Sequence, residues 1–158
     1  MNTILAASLL LSLSLLGCAG GSVPVVEIVD ASPEALSASD DGKDDLTIVA
    51  RYEDPDGDLG QGIARIFDCR AEGLVTELAI PRIANDEAVA QGAPIEGEMA
   101  LVVADVGAVA ASESVPAACA DLGISAPSGG AQAFCVVLVD AAGNESEGAC
   151  TKPIAIEP

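Results

Sequence analysis

A chain of 158 residues with 25 acidic and six basic side chains, and no histidine, carries a net charge of −19. Such a field repels phosphate backbones, so nucleic acid is excluded as a partner, and an anionic lipid surface is disfavoured as a direct contact. Divalent cations and basic proteins are what it favours. Apolar residues make up 51% of the chain, mostly Val, Ile, Leu and Ala, which suffices for a buried core despite the charge. Tyr52, Phe67 and Phe134 are the only aromatics, so the core is built of small aliphatics and large surface anchors are scarce.

The first feature in chain order is the uncharged apolar run Ile4 to Leu16, closed by Leu15-Leu16-Gly17-Cys18 and followed by Ala19-Gly20-Gly21-Ser22. The run is shorter than the ~20 residues of a membrane-spanning helix and fits the hydrophobic part of an export signal. It resembles the lipobox signal of bacterial lipoproteins. That resemblance implies cleavage before Cys18, a diacylglyceryl thioether on its thiol and a palmitate-type acyl group on its new amine. Two or more chains anchor a protein stably, where one does not. By the sorting rule of enterobacterial lipoproteins, Ala19 after the cysteine implies the outer membrane. The expected organisation is a leader over 1–17, a lipidated cysteine and flexible tether over 18–24, and one domain over 25–158, about 140 residues with the tether.

Within that domain, period-2 alternation between turn signals predicts strands. Val25 to Val29 is the first, closed by Asp30-Ala31-Ser32-Pro33. In the second, Leu46, Ile48, Ala50 and Tyr52 alternate with Thr47, Val49, Arg51 and Glu53, giving one wet face. Gly62 to Cys69, Leu74 to Ile80 and Glu98 to Val106 follow. Pro116 near its start and Gly123 past its end predict a short helix over Ser114 to Leu122. Ala133 to Val139 and Ala149 to Ile156 then form a hairpin around Asp140 to Glu145. About seven strands at this spacing predict an all-β sandwich with Greek-key connections and one short helical excursion.

The turns Asp54-Pro55-Asp56-Gly57-Asp58-Leu59 and Val137-Leu138-Val139-Asp140-Ala141-Ala142-Gly143-Asn144 resemble those of bacterial immunoglobulin-like, cadherin-like and fibronectin-III-like modules. The resemblance implies an immunoglobulin-like β-sandwich in which the second phrase joins the last two strands. A core tryptophan and the antibody cysteine spacing are missing.

Besides Cys18 the chain has Cys69, Cys119, Cys135 and Cys150. An even number in an exported chain predicts two disulfides, with three connectivities open. A zinc site is disfavoured, because there is no histidine and no CxxC spacing. Cys119 is expected to staple the helical excursion to the sheet.

Two acidic knots invite a calcium reading: Asp40-Asp41-Gly42-Lys43-Asp44-Asp45 and Asp54-Pro55-Asp56-Gly57-Asp58. Ca²⁺ takes six to eight oxygens, and alternate carboxylates in a tight glycine turn can converge on it. The EF-hand order is not met, and Asp, Pro and Gly are also what ordinary turns use. Asp54, Asp56 and Asp58 are the candidate ligands of a weak site, with Asp140 joining if its loop lies at the same end.

Catalysis is not expected. No histidine can serve as a base, no GxSxG elbow is present, and Ser39 and Lys43 are four apart instead of three. Carboxylate pairs for a hydrolase remain as an outsider. The sequence therefore predicts a lipid-anchored, non-catalytic envelope module that meets another envelope or surface protein. A calcium-dependent adhesion module is the alternative.

Overall fold

The computed structural model describes residues 21–37, 44–73, 75–80, 92–106, 114–124 and 131–157. The apolar run of the leader, Cys18, and Asp40 and Asp41 of the first acidic knot lie outside them. Ten strands and one α-helix are found among the described residues, arranged as an all-β sandwich.

The first sheet has the order β1-β3-β6, all antiparallel, from β1 (Val25–Ser32), β3 (Leu46–Asp54) and β6 (Ile95–Val103). The second runs β5-β4-β8-β9, from β4 (Ile63–Asp68), β5 (Val75–Ala79), β8 (Phe134–Val139) and β9 (Ala149–Cys150). A small third sheet places β10 (Ile154–Glu157) between β2 (Ala35–Ser37), to which it is parallel, and β7 (Ala131–Gln132).

Alternation does what it predicts in β3, where Leu46, Ile48, Ala50 and Tyr52 are buried. They join Met99 and Leu101 of β6, Ile66 of β4, and Phe134, Val136 and Leu138 of β8 in one core between the two main sheets. Leu36 and Ile154 from the third sheet complete it. On the solvent face, Arg51 lies between Glu27 and Glu98 in register across three strands, at 3.5 and 2.7 Å. Arg65 similarly bridges Glu77 and Glu145. Exposed pairs of this kind are screened by solvent, so they select register more than they stabilise.

β8 departs from alternation: all six of its residues are buried. Phe134, Val136 and Leu138 face the main core, while Cys135 lies in a second cluster with Cys69, Cys119, Leu122 and Ile124. The disulfides are Cys69–Cys119 and Cys135–Cys150. Oxidised in this way, these cysteines are not metal ligands. The first bridge fastens α1 (Ala117–Asp121) to the end of β4, as expected of Cys119. The helix is shorter than Ser114 to Leu122, with Pro116 at its N-cap and Gly123 at φ +90° beyond its end.

The strand boundaries depart most from the sequence reading at β1, at the final run and at β6. β1 continues through Asp30-Ala31-Ser32 by way of a bulge between Ile28 and Asp30, and stops before Pro33. Edge strands tolerate such bulges and end where proline removes a donor. The final run Ala149 to Ile156 is two strands, because Pro153 breaks the ladder and β10 changes sheet. β6 begins at Ile95 and ends at Val103; Asp105, at φ +56°, turns the chain away from the sheet.

Candidate acidic site at one end of the sandwich

β3 ends at Asp54, and the next four residues turn into a short 3₁₀ segment, Leu59–Gln61, that leads to β4. The turn is tight. Gly57 has φ +76°, and a Cβ there would lie 2.2 Å from the carbonyl oxygen of Ala93, so both its backbone conformation and its space require glycine.

The turn brings Asp54, Asp56 and Asp58 together, each offering a carboxylate oxygen within 4.8 Å of the others. All three carboxylates are held the same way. Oδ2 of Asp54 accepts from the Leu59 N–H at 2.8 Å, that of Asp56 from the Ser22 N–H at 2.8 Å, and that of Asp58 from the Ala142 N–H at 3.1 Å. Each Oδ1 is left buried with no hydrogen-bond partner. Asp54 is only 1% exposed. Among the described residues, the buried side-chain oxygens and nitrogens without a partner are these three Oδ1 atoms and Oγ of Ser22.

Buried polar atoms are nearly always satisfied, and each unsatisfied group costs about 1–3 kcal/mol, more when charged. Four such atoms gathered around one turn, and none elsewhere among the described residues, are what a set of cation ligands looks like. Burial, reinforced by Asp56 and Asp58, pushes the Asp54 carboxyl above its ordinary value of 3.8. Asp58 is raised by burial and by Asp140 and Asp56. Asp56 is lowered, chiefly by the Ser22 N–H, with the Asp54 carboxyl and then the Ser22 hydroxyl adding to this.

Asp140 does lie at this end, but in a supporting role. Both its oxygens accept from Asn144, at 2.7 Å from the backbone N–H and 2.7 Å from Nδ2, and it stands outside the group of three. It shapes the loop that delivers the Ala142 N–H to Asp58 and adds negative charge beside it. Of the first acidic knot, Asp44 accepts from the Ser37 N–H and Asp45 from the Asp105 N–H, so both act as turn caps.

Ser22 is the residue that sequence reasoning assigned to a flexible tether. Here its N–H donates to Asp56, its carbonyl accepts from Asn144 Nδ2 at 3.4 Å, and Pro24 just beyond it is fully buried. No local pattern marks a serine 34 residues from its partner carboxylate; only the return of β1 beside β3 brings them together.

The raised carboxyls set a pH dependence in EDTA. A group whose pKa is higher folded than unfolded contributes stability that is complete below the unfolded value and lost as pH rises through the folded one. Asp54 and Asp58 should therefore make the metal-free domain more stable as pH falls from neutrality toward 3.8, before the lowered Asp56 acts in the opposite sense. Urea midpoints at pH 7 and pH 5 measure this; a midpoint that drops on acidification counts against it.

Comparison with protein-family models, with curated proteins and with solved structures returns no match for this chain.

Proposed function

We propose that this protein is a lipid-anchored, non-catalytic module of the cell envelope, an immunoglobulin-like sandwich whose Asp54–Asp58 turn binds Ca²⁺ and is stiffened by it. The observation that carries the calcium reading is the set of four buried, unpartnered oxygens of Ser22, Asp54, Asp56 and Asp58. Three carboxylates and a hydroxyl suit Ca²⁺ better than Mg²⁺, which keeps its waters and is usually met by one or two carboxylates. Of the two roles open from sequence, this favours the calcium-dependent interaction module over a binding or structural module that needs no ion.

The immunoglobulin-like reading is supported by the two antiparallel sheets, β1-β3-β6 and β5-β4-β8-β9, whose strands cross between layers. Anchoring at the outer membrane rests on the lipobox-like sequence ending in Cys18. A non-catalytic role is supported by the lack of histidine and the scarcity of aromatics. The lipid fixes one end, and loops of the sandwich present themselves to another envelope or surface protein.

Thermal melts with 10 mM CaCl₂ against EDTA test the reading. For a weak extracellular-type site of ~10⁻⁴–10⁻³ M, mass action gives about 1.4–2.7 kcal/mol. In a domain of this size that raises the midpoint by about 5–10 °C. Asp54→Asn should abolish the calcium response while raising the midpoint in EDTA, since an amide keeps the Leu59 bond and removes one of three repelling charges. An unchanged wild-type midpoint at 10 mM calcium would eliminate the site.

A further inference from the structure

We infer that the cation bound at this turn clamps the N-terminal strap, residues 21–24, onto the sandwich through the Ser22 hydroxyl, and so fixes how the domain stands relative to its anchor. The inference rests on the calcium reading of the Asp54–Asp58 turn and adds to it a ligand from outside the turn.

Three observations carry it. Oγ of Ser22 is buried without a partner, as are the three Oδ1 atoms, while its N–H already donates to Asp56. Gly21 fits a cradle that a side chain would fill: a Cβ there would lie 2.5 Å from Asn144 Nδ2 and 3.0 Å from Asp56 Oδ2. Pro24 is buried, so the strap is seated on both sides of Ser22.

Without a cation, Ser22 is held against a cluster of like charges by two hydrogen bonds, one of them 3.4 Å long. With a cation, those charges are neutralised and the serine shares the ion with the sandwich. Four peptide units separate Cys18 from Ser22, a reach of at most about 14 Å. A clamp at Ser22 therefore keeps the sandwich within that reach of Cys18. It puts the cation-bearing end of the sandwich nearest the membrane and the disulfide-stapled end farthest from it.

Hydrogen–deuterium exchange on the full chain, followed by mass spectrometry of fragments covering 19–26 and 54–61, tests the clamp with CaCl₂ against EDTA at matched ionic strength. Calcium should slow exchange at least tenfold in both fragments. In Ser22→Ala the turn should remain protected at saturating calcium, with roughly tenfold weaker calcium affinity and with most of the protection of 19–26 lost; Ser22→Thr should restore both. Protection of the turn without any change over 19–26, or wild-type behaviour of Ser22→Ala, would overturn the clamp and leave the calcium site standing. No calcium effect on either fragment would remove the site itself, and the clamp with it.

Discussion

Replacing Arg70 with methionine is expected to cost about 3–5 kcal/mol, the usual penalty for stripping one partner from a buried ion pair. Arg70 is 2% exposed, and its guanidinium grips Asp68 with Nε at 2.9 and 3.0 Å and Nη2 at 2.6 Å. Nη1 donates to the carbonyl of Val106 at 3.1 Å, and the guanidinium carbon lies 5.6 Å from the centre of the Phe134 ring. Methionine fills much of the volume but leaves the Asp68 carboxylate and the Val106 carbonyl without these donors. At about 3–5 °C per kcal/mol the midpoint should fall by 10 °C or more. Adding Asp68→Leu should recover a large part, because an apolar pair no longer strands a charge. A loss below 1 kcal/mol for Arg70→Met would mean that the pair is in effect solvated.

The second large effect belongs to Cys69–Cys119, which joins positions 50 residues apart. In the chain-entropy account, opening a loop of that length costs about 4 kcal/mol, against about 3 for the 15-residue separation of Cys135–Cys150. The bridge also holds α1 over the outer face of β8, where Cys119 is buried beside Cys135. The double alanine variant should lose about 4 kcal/mol, and proteolysis near α1 should begin well before the sandwich is cut. Cleavage elsewhere first would show that the excursion is held by packing alone.

These two predictions concern features that sequence reached unequally. The disulfides were foreseeable as a pair, since four cysteines in a chain whose first residues resemble an export signal are expected to oxidise together, but their connectivity was not. Cys119 found Cys69 only because the excursion folds back over β8. Arg70 carries no local signal of burial: it follows Asp68 and Cys69 at the end of an apolar run, where a charged side chain would ordinarily be solvated. Its burial comes from Val106 and Phe134, which arrive from two distant segments.

The candidate site divides the same way. Asp54, Asp56 and Asp58 were legible because alternate carboxylates around a glycine have one turn to share. Their pre-positioning by the N–H groups of Leu59, Ser22 and Ala142 was not, since two of the three donors come from loops 34 and 84 residues away. Asp140 lies at this end, yet its oxygens serve Asn144.

By itself the sequence determined the all-β class, the inward faces of strands such as β3, the short helix bounded by Pro116 and Gly123, and the acidic turn. Each follows from periodicity or from residues whose backbone preferences act over a few positions. Tertiary structure alone decided the parallel pairing of β2 with β10, the burial of Arg70, the pairing of the cysteines and the capture of Ser22. Those depend on which segments the two sheets bring side by side, and no local preference encodes the contacts of a chain folded back on itself.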